Sequence, residues 1–163
     1  MFMREARTRA DSPRGHQAQD LTPGCACAHR SLRRSHERRA HRILLVDDNV
    51  DSSATLEGFL RAHDFEVTAA FNGQQALDVL RAGFRPSVIL LDVMMPKMDA
   101  HAFRTEQRAD AALAAIPVIV FSGAYDVGAI AERLGVRDYF TKPLDIQRLL
   151  DGIRRHCRPA ADR

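Results

Sequence analysis

At 163 residues, with 45% hydrophobic and 28% charged side chains, the chain is long enough for one domain with a sizeable core and too short for two ordinary ones. Its longest apolar run, around residues 116–121, is strand-sized, and the N-terminal Arg residues have no apolar segment behind them, so neither a membrane-spanning helix nor a secretory signal is expected, and a cytoplasmic location is. Three cysteines, an odd number, argue against a disulfide framework.

The net charge of +3 conceals two regions of opposite sign. Residues 1–42 hold ten Arg against four acids, whereas the remainder holds 14 basic and 17 acidic groups. The first 41 residues have almost no apolar periodicity, cannot bury enough surface to offset their conformational entropy, and are expected to form a disordered Arg-rich tail. Cys25, Cys27 and His29 within it lack a second Cys pair at zinc-site spacing. The run from Arg30 to Arg42 could meet phosphates, but no aromatic is interleaved and no folded reader accompanies it, so nucleic acid is not expected as a partner except through this tail.

From Ile43 the pattern changes. Ile43-Leu44-Leu45-Val46 is a short continuous apolar run that ends in Asp47-Asp48. A helix follows, with Leu56, Phe59, Leu60 and His63 at helical spacing. The stretch from Phe65 to Ala69 alternates and reads as a strand nearer a sheet edge. Asn72-Gly73 is read as a turn, and Ala76, Leu77 and Leu80 mark a second helix that closes before Gly83 and Pro86.

Val88-Ile89-Leu90-Leu91 is a second doubly buried run, and because Pro96 cannot continue a ladder the strand must stop near Asp92. A loop to Asp99 leads into a weakly patterned helix around Ala102 and Phe103. Residues 117–121 form the fourth strand, ending at Ser122-Gly123, and the next helix carries Val127, Ile130, Ala131 and Leu134 and stops at Gly135. Residues 137–141 form the fifth strand, ending at Lys142-Pro143. The last helix has Asp145 as N-cap and Ile146, Leu149, Leu150, Ile153 and Cys157 on one face, which makes Cys157 a packed core thiol. Pro159 ends it, leaving residues 159–163 as a short tail behind a domain spanning 42–158. Five strands alternating with five helices imply an α/β fold with a parallel sheet and helices on both faces.

Asp47, Asp48, Asp92, Ser122 and Lys142 all fall at C-terminal strand ends, so a parallel sheet brings them to one edge. Three crowded carboxylates resist joint ionisation unless a cation compensates them. Hard oxygen donors without an accompanying His or Cys suit Mg²⁺ rather than zinc. An Asp beside Mg²⁺, a Lys and a Ser hydroxyl is equipped for in-line phosphoryl transfer, with the carboxylate as nucleophile.

The blocks Ile43-Leu-Leu-Val-Asp-Asp-Asn49, Leu91-Asp-Val-Met-Met-Pro96, Ser122-Gly-Ala124 and Tyr139-Phe-Thr-Lys-Pro143 resemble, in order and spacing, those of the response-regulator receiver domain of two-component signalling, CheY-like and of the stand-alone type. The resemblance implies a doubly wound (βα)5 flavodoxin-like sheet of order 2-1-3-4-5. It implies that Asp92 accepts a phosphoryl group from a histidine kinase or histidine phosphotransfer protein, with no enzymatic activity beyond self-phosphorylation and self-dephosphorylation at that residue. By the same resemblance Asp47, Asp48, Asp92 and the backbone carbonyl of Met94 hold Mg²⁺, Ser122 and Lys142 stabilise the phosphoryl group, Tyr139 is the switch aromatic, and the Lys142–Pro143 peptide is cis. The downstream target is a protein the sequence does not name, and the fourth helix, fifth strand and fifth helix form the surface that switches and that could pair two copies.

Two positions depart from the family pattern: Ala100 stands where a Gly is frequent, and 20 positions separate Ser122 from Lys142, about two fewer than expected. The departure predicts a shortened loop into the fourth helix. A phosphatase of the haloacid-dehalogenase type also uses an Asp nucleophile, but it requires a second Asp two residues later, where this chain has Met94 or, after Asp47, Asn49. Dinucleotide binding lacks its glycine-rich turn. A non-phosphorylated scaffold, or a nucleic-acid-associated regulator acting through the basic tail, is the remaining alternative.

Overall fold

Each apolar run becomes a strand of one parallel sheet: β1 (His41–Val46), β2 (Phe65–Ala70), β3 (Val88–Asp92), β4 (Val118–Ser122) and β5 (Asp138–Thr141), in the spatial order β2-β1-β3-β4-β5. These coordinates come from a computed structural model that describes residues 41–95 and 100–157. The expectations for the Arg-rich tail through residue 40, for Cys25, Cys27 and His29, for Pro96 and Asp99, and for Pro159 and the tail behind it lie outside the described residues.

β1 and β3 sit in the middle of the sheet, and Ile43, Leu44, Leu45 and Val46 together with Val88, Ile89, Leu90 and Leu91 are fully buried. Strands covered on both faces have no polar face to alternate with, which is why these two read as continuous apolar runs. The two-residue period instead sorts their side chains between two cores. Ile43 and Leu45 enter one with Leu56, Leu60, Leu149 and Ile153, while Leu44 and Val46 enter the other with Leu77, Leu80, Phe103 and Ala131. β2 and β5 are the edges, and their burial is incomplete.

β1 starts two residues before its apolar run, because His41 and Arg42 continue the ladder opposite Phe65 and Glu66 with their side chains exposed. Backbone pairing needs no apolar side chain, so hydropathy could not mark this end.

The helices among the described residues are α1 (Val50–Arg61), α2 (Gly73–Arg81), α3 (Ala100–Ala109), α4 (Ala111–Ala114), α5 (Val127–Arg133) and α6 (Ile146–Cys157), one more than the five expected. The extra one, α4, is a single turn capped by Asp110, whose Oδ1 accepts from Ala112 N at 2.8 Å. Two further expectations are corrected. Asn72-Gly73 is not a free turn but the start of α2, with Asn72 as N-cap accepting from Gln75 N at 2.9 Å. His63 lies beyond α1, in the turn to β2, where its ring stacks on Phe59 at 4.3 Å and its Nδ1 meets Phe59 O at 2.9 Å.

The loop from β4 to α5 is residues 123–126, and α5 has only seven residues, ending at Leu134 and the left-handed Gly135 (φ +64°). Cys157, at the end of α6, is partly buried against the core that holds Leu149 and Ile153. Burial pushes its thiol pKa up, and a hydrogen bond with Ser87 offsets part of that rise. Among the described residues no helix is long and apolar enough to cross a membrane.

Candidate functional site

The chain reverses direction across the sheet between β1 and β3, and the strand ends there form the crevice where open α/β sheets place their ligands. Asp47 follows β1 directly and Asp92 is the last residue of β3, so neighbouring parallel strands bring them side by side. One oxygen each from Asp47, Asp48 and Asp92 falls within 4.8 Å of the others. Asp47 is wholly buried and Asp92 is 4% exposed, whereas Asp48 is partly open to solvent.

Local backbone turns hold the two buried carboxylates. Asn49 N–H donates to Asp47 Oδ1 at 2.9 Å, and Met94 N–H donates to Asp92 Oδ1 at 2.9 Å. Asn49 also caps α1 through Ser52 N, which turns the helix so that the Ser52 hydroxyl donates to Asp47 Oδ2 at 3.2 Å. Ser52 was not anticipated from the sequence. The signal was there, in an Asn N-cap two residues after Asp47 with a Ser three residues later, but it is indistinguishable from an ordinary helix start until the carboxylate's position is known.

Lys142 reaches the cluster from the end of β5, with Nζ 2.6 Å from Asp92 Oδ2 and 3.3 Å from Asp47 Oδ2. Its Nζ also lies over the Phe121 ring, 4.9 Å from the centroid. Burial alone would lower the ammonium pKa, but the hydrogen bond and charge of Asp92, with those of Asp47 added, outweigh it and raise the pKa above the ordinary lysine value. Lys142 N donates to Ser122 O at 2.8 Å, tying the end of β5 to that of β4, and the Lys142–Pro143 peptide is cis. The Ser122 side chain is fully buried and its Oγ accepts from Ala124 N at 3.1 Å.

Asp47, Asp48, Asp92, Ser122 and Lys142 therefore converge on one edge, and Met94, 65% exposed, sits at its rim. Tyr139 does not join them. It lies on β5, 49% exposed, with its ring against α5, where a Cβ on Gly128 would stand 3.2 Å from the Tyr139 hydroxyl.

The donor set fits a magnesium ion. Three oxygen-bearing carboxylates face one lysine, no nitrogen or sulfur ligand is among them, and a dication would balance the surplus negative charge. Among the described residues Asp48 alone of the three accepts no hydrogen bond from the protein, whereas both oxygens of Asp47 are engaged.

Residues 43–154 match the family model of the response regulator receiver domain. Protein PilH of Pseudomonas aeruginosa is 34% identical over 114 residues, covering 69% of this chain and 93% of that protein. A probable transcriptional regulator, ycf27 of Porphyra purpurea, is 33% identical over 129 residues, covering 76% of this chain and 50% of the relative, so the chain spans about half the length of that protein. Among solved structures, a response regulator receiver protein from Pseudomonas putida superposes with a TM-score of 0.65 at 27% identity, covering 71% of this chain and 97% of that one.

Proposed function

Because the chain belongs to the response-regulator receiver-domain family, we propose that it is a phosphorylation switch in which Asp92 takes a phosphoryl group from a phosphohistidine on a histidine kinase or phosphotransfer protein. The observation that carries this reading is Lys142 Nζ held 2.6 Å from a nearly buried Asp92 inside a cluster of three carboxylates. Gathering like charges in a largely buried crevice around one lysine is costly, and such clusters concentrate at functional sites.

In the transfer step one carboxylate oxygen of Asp92 forms a bond to phosphorus while the bond from phosphorus to the donor imidazole nitrogen breaks, and the imidazole keeps the electron pair. The product is an acyl phosphate, and attack by water on phosphorus returns the carboxylate and inorganic phosphate. Lys142 neutralises Asp92 before transfer and, from the same strand end, pairs with the incoming phosphoryl oxygens. The Ser122 hydroxyl, anchored by Ala124 N, donates to them. A Mg²⁺ ion held by Asp48, Asp92 and the Met94 carbonyl, with Asp47 assisting, would supply charge neutralisation of the phosphoryl oxygens. Asp47, with both oxygens hydrogen-bonded, is suited to assist, and Asp48, without a protein donor among the described residues, is suited to bind directly.

Phosphorylation adds about two negative charges at the edge of the sheet. Ser122 and Tyr139 would pass this to the surface formed by α5, β5 and α6, where Tyr139 already lies against Gly128. That surface is the one through which the protein would meet its downstream target or a second copy. The test is incubation with a small phosphodonor such as acetyl phosphate, with and without Mg²⁺, followed by intact-mass measurement. The wild type should gain one phosphoryl group only with Mg²⁺. No gain, or equal labelling of an Asp92→Asn variant, would refute the proposal.

A further inference from the structure

Between α3 and the C-terminal end of α5 lies a second polar feature, open to solvent, that shares no residue with the carboxylate cluster. A cavity of about 190 Å³ is lined by His101, Arg104, Thr105, Arg108, Arg133 and Leu134. Four of these lie on α3 at positions 101, 104, 105 and 108, the spacing of a single helix face, and Arg133 closes the cavity from the last turn of α5. No acidic side chain lines it.

The three arginines differ from four of the five others on the helices, Arg148 of α6 being likewise without an ion pair among the described residues. Arg61, Arg81, Arg154 and Arg155 each pair with a carboxylate, on Glu57, Glu106, Asp151 and Asp138. Arg104, Arg108 and Arg133 form no ion pair among the described residues, and their charges face one space. Their mutual repulsion is legible at Arg104, whose pKa is lowered first by burial and then by the charge of Arg108. Arg108 and Arg133 also occupy the last turns of their helices, where the helix dipole favours cations, but each helix end offsets only about half a charge.

The guanidinium of Arg104 is fixed in place, with Nη1 donating to Gln107 Oε1 at 2.5 Å and Nη2 to Gly135 O at 3.4 Å. Gly135 makes room for the second. A Cβ there would stand 3.0 Å from Arg108 Nη1, so the glycine that ends α5 also clears the approach of that guanidinium. The Thr105 hydroxyl is turned back to His101 O at 2.9 Å, which leaves the arginines and His101 as the candidate donors lining the cavity.

We propose that His101, Arg104, Arg108 and Arg133 form a binding site for a small phosphate dianion, either free phosphate or the phosphate group of a small phosphomonoester. Guanidinium forks match phosphate oxygens in pairs, which is the geometry this group rewards. The cavity has room for a phosphate group and is open to solvent, so the remainder of a phosphomonoester would lie outside it.

The experiment titrates the full chain with inorganic phosphate, with glycerol phosphate and with an Asp/Glu-rich peptide, at constant ionic strength set by chloride. EDTA is present so that the carboxylate cluster cannot recruit the anion through a metal. Amide NMR shifts are followed in wild type and in an Arg108→Ser/Arg133→Ser double variant. Both replaced side chains are exposed, so the variant should keep its circular dichroism and its phosphoryl acceptance.

The expected result is saturable shifts in α3 and in residues 133–136, at least tenfold weaker in the double variant. Tighter binding of glycerol phosphate would identify a phosphomonoester as the ligand, and equal affinities would identify the phosphate group alone. Binding that is unchanged in the double variant, as the Arg-rich residues 1–42 would give, overturns the proposal. So do non-saturable shifts and preferential binding of the acidic peptide.

Discussion

A single lysine shared between two buried carboxylates leaves the crevice with more negative charge than its own residues balance. Replacing Asp48 with Asn removes one repelling charge, and in EDTA it should raise unfolding free energy by about 1 kcal/mol, the scale of a partly solvated charge pair. Mg²⁺ at a hundredfold excess over its dissociation constant should stabilise the wild type by about 2.7 kcal/mol, and this gain should vanish in Asp48→Asn. Urea unfolding with and without Mg²⁺ measures both, and equal Mg²⁺ stabilisation of the two proteins would remove Asp48 from the metal site. Cys157 supplies a pH test. Its folded pKa is raised by burial, partly offset by the hydrogen bond with Ser87, so the folded thiol keeps a proton that the unfolded chain releases above the ordinary thiol value of 9.0. Stability should therefore fall as pH rises past that value, and a Cys157→Ala variant should lose this part of the slope. Peptide-mapped alkylation at pH 8 should be at least tenfold slower at Cys157 in the native than in the unfolded chain. Single residues were legible where chemistry demanded a rare type at a strand end, as with Asp92 and Lys142. They were not legible where an ordinary residue acquired a task from the fold. Ser52 reads as a helix-start serine, and Gln107 as a surface glutamine, although it is buried and its amide donates to Leu113 O at 2.9 Å and Ile116 O at 3.0 Å.

At the scale of the element, caps and close approaches decide more than propensity does. Asn72 begins α2 by accepting from Gln75 N, while the Gln75 side chain accepts from Phe71 N at 2.9 Å, so two otherwise unpaired donors are satisfied within one turn. Asn72→Ala should cost about 1 kcal/mol in urea unfolding and leave phosphoryl acceptance unchanged. Gly152 lies in α6 where the helix presses on β5, and a Cβ there would stand 2.9 Å from Phe140 Cζ. Gly152→Ala improves helix propensity by up to about 1 kcal/mol, but the forced displacement of Phe140 should outweigh it and give a net loss of about 1 to 2 kcal/mol. A measured net gain would mean that Phe140 moves freely. Longer helices announced themselves through apolar stripes that recur over several turns, as in α6 with Leu149, Leu150 and Ile153. α4 could not, because one turn of Ala111-Ala-Leu-Ala114 has no second turn in which a period can repeat.

For the molecule as a whole, a parallel sheet covered on both faces was legible in two doubly buried runs, whereas its order 2-1-3-4-5 was implied only by the resemblance of the motif blocks. A strand that is apolar on both faces must lie inside a sheet sandwiched by helices, and the rule of right-handed crossovers leaves few ways to connect five of them. Among the described residues, the face under α1 and α6 holds Leu56, Leu60, Leu149 and Ile153, and the opposite face Leu77, Leu80, Phe103 and Val127. Every group placed in the phosphoryl site also lies between Asp47 and Lys142. The core and site residues named above all lie between 41 and 157, so a fragment spanning 41–157 should fold and accept phosphate as the full chain does. The cut cannot move further inward without cost, because His41 and Arg42 pair with Phe65 and Glu66 and hold β2 at the sheet edge. A fragment starting at residue 43 loses two rungs of that ladder and should unfold at lower urea than the fragment starting at 41. Comparison of the three chains by urea unfolding and by acetyl phosphate labelling separates the outcomes. Matching midpoints for the full chain and the 41–157 fragment establish an autonomous receiver, and a fragment that fails to fold would show that the first 40 residues belong to its structure.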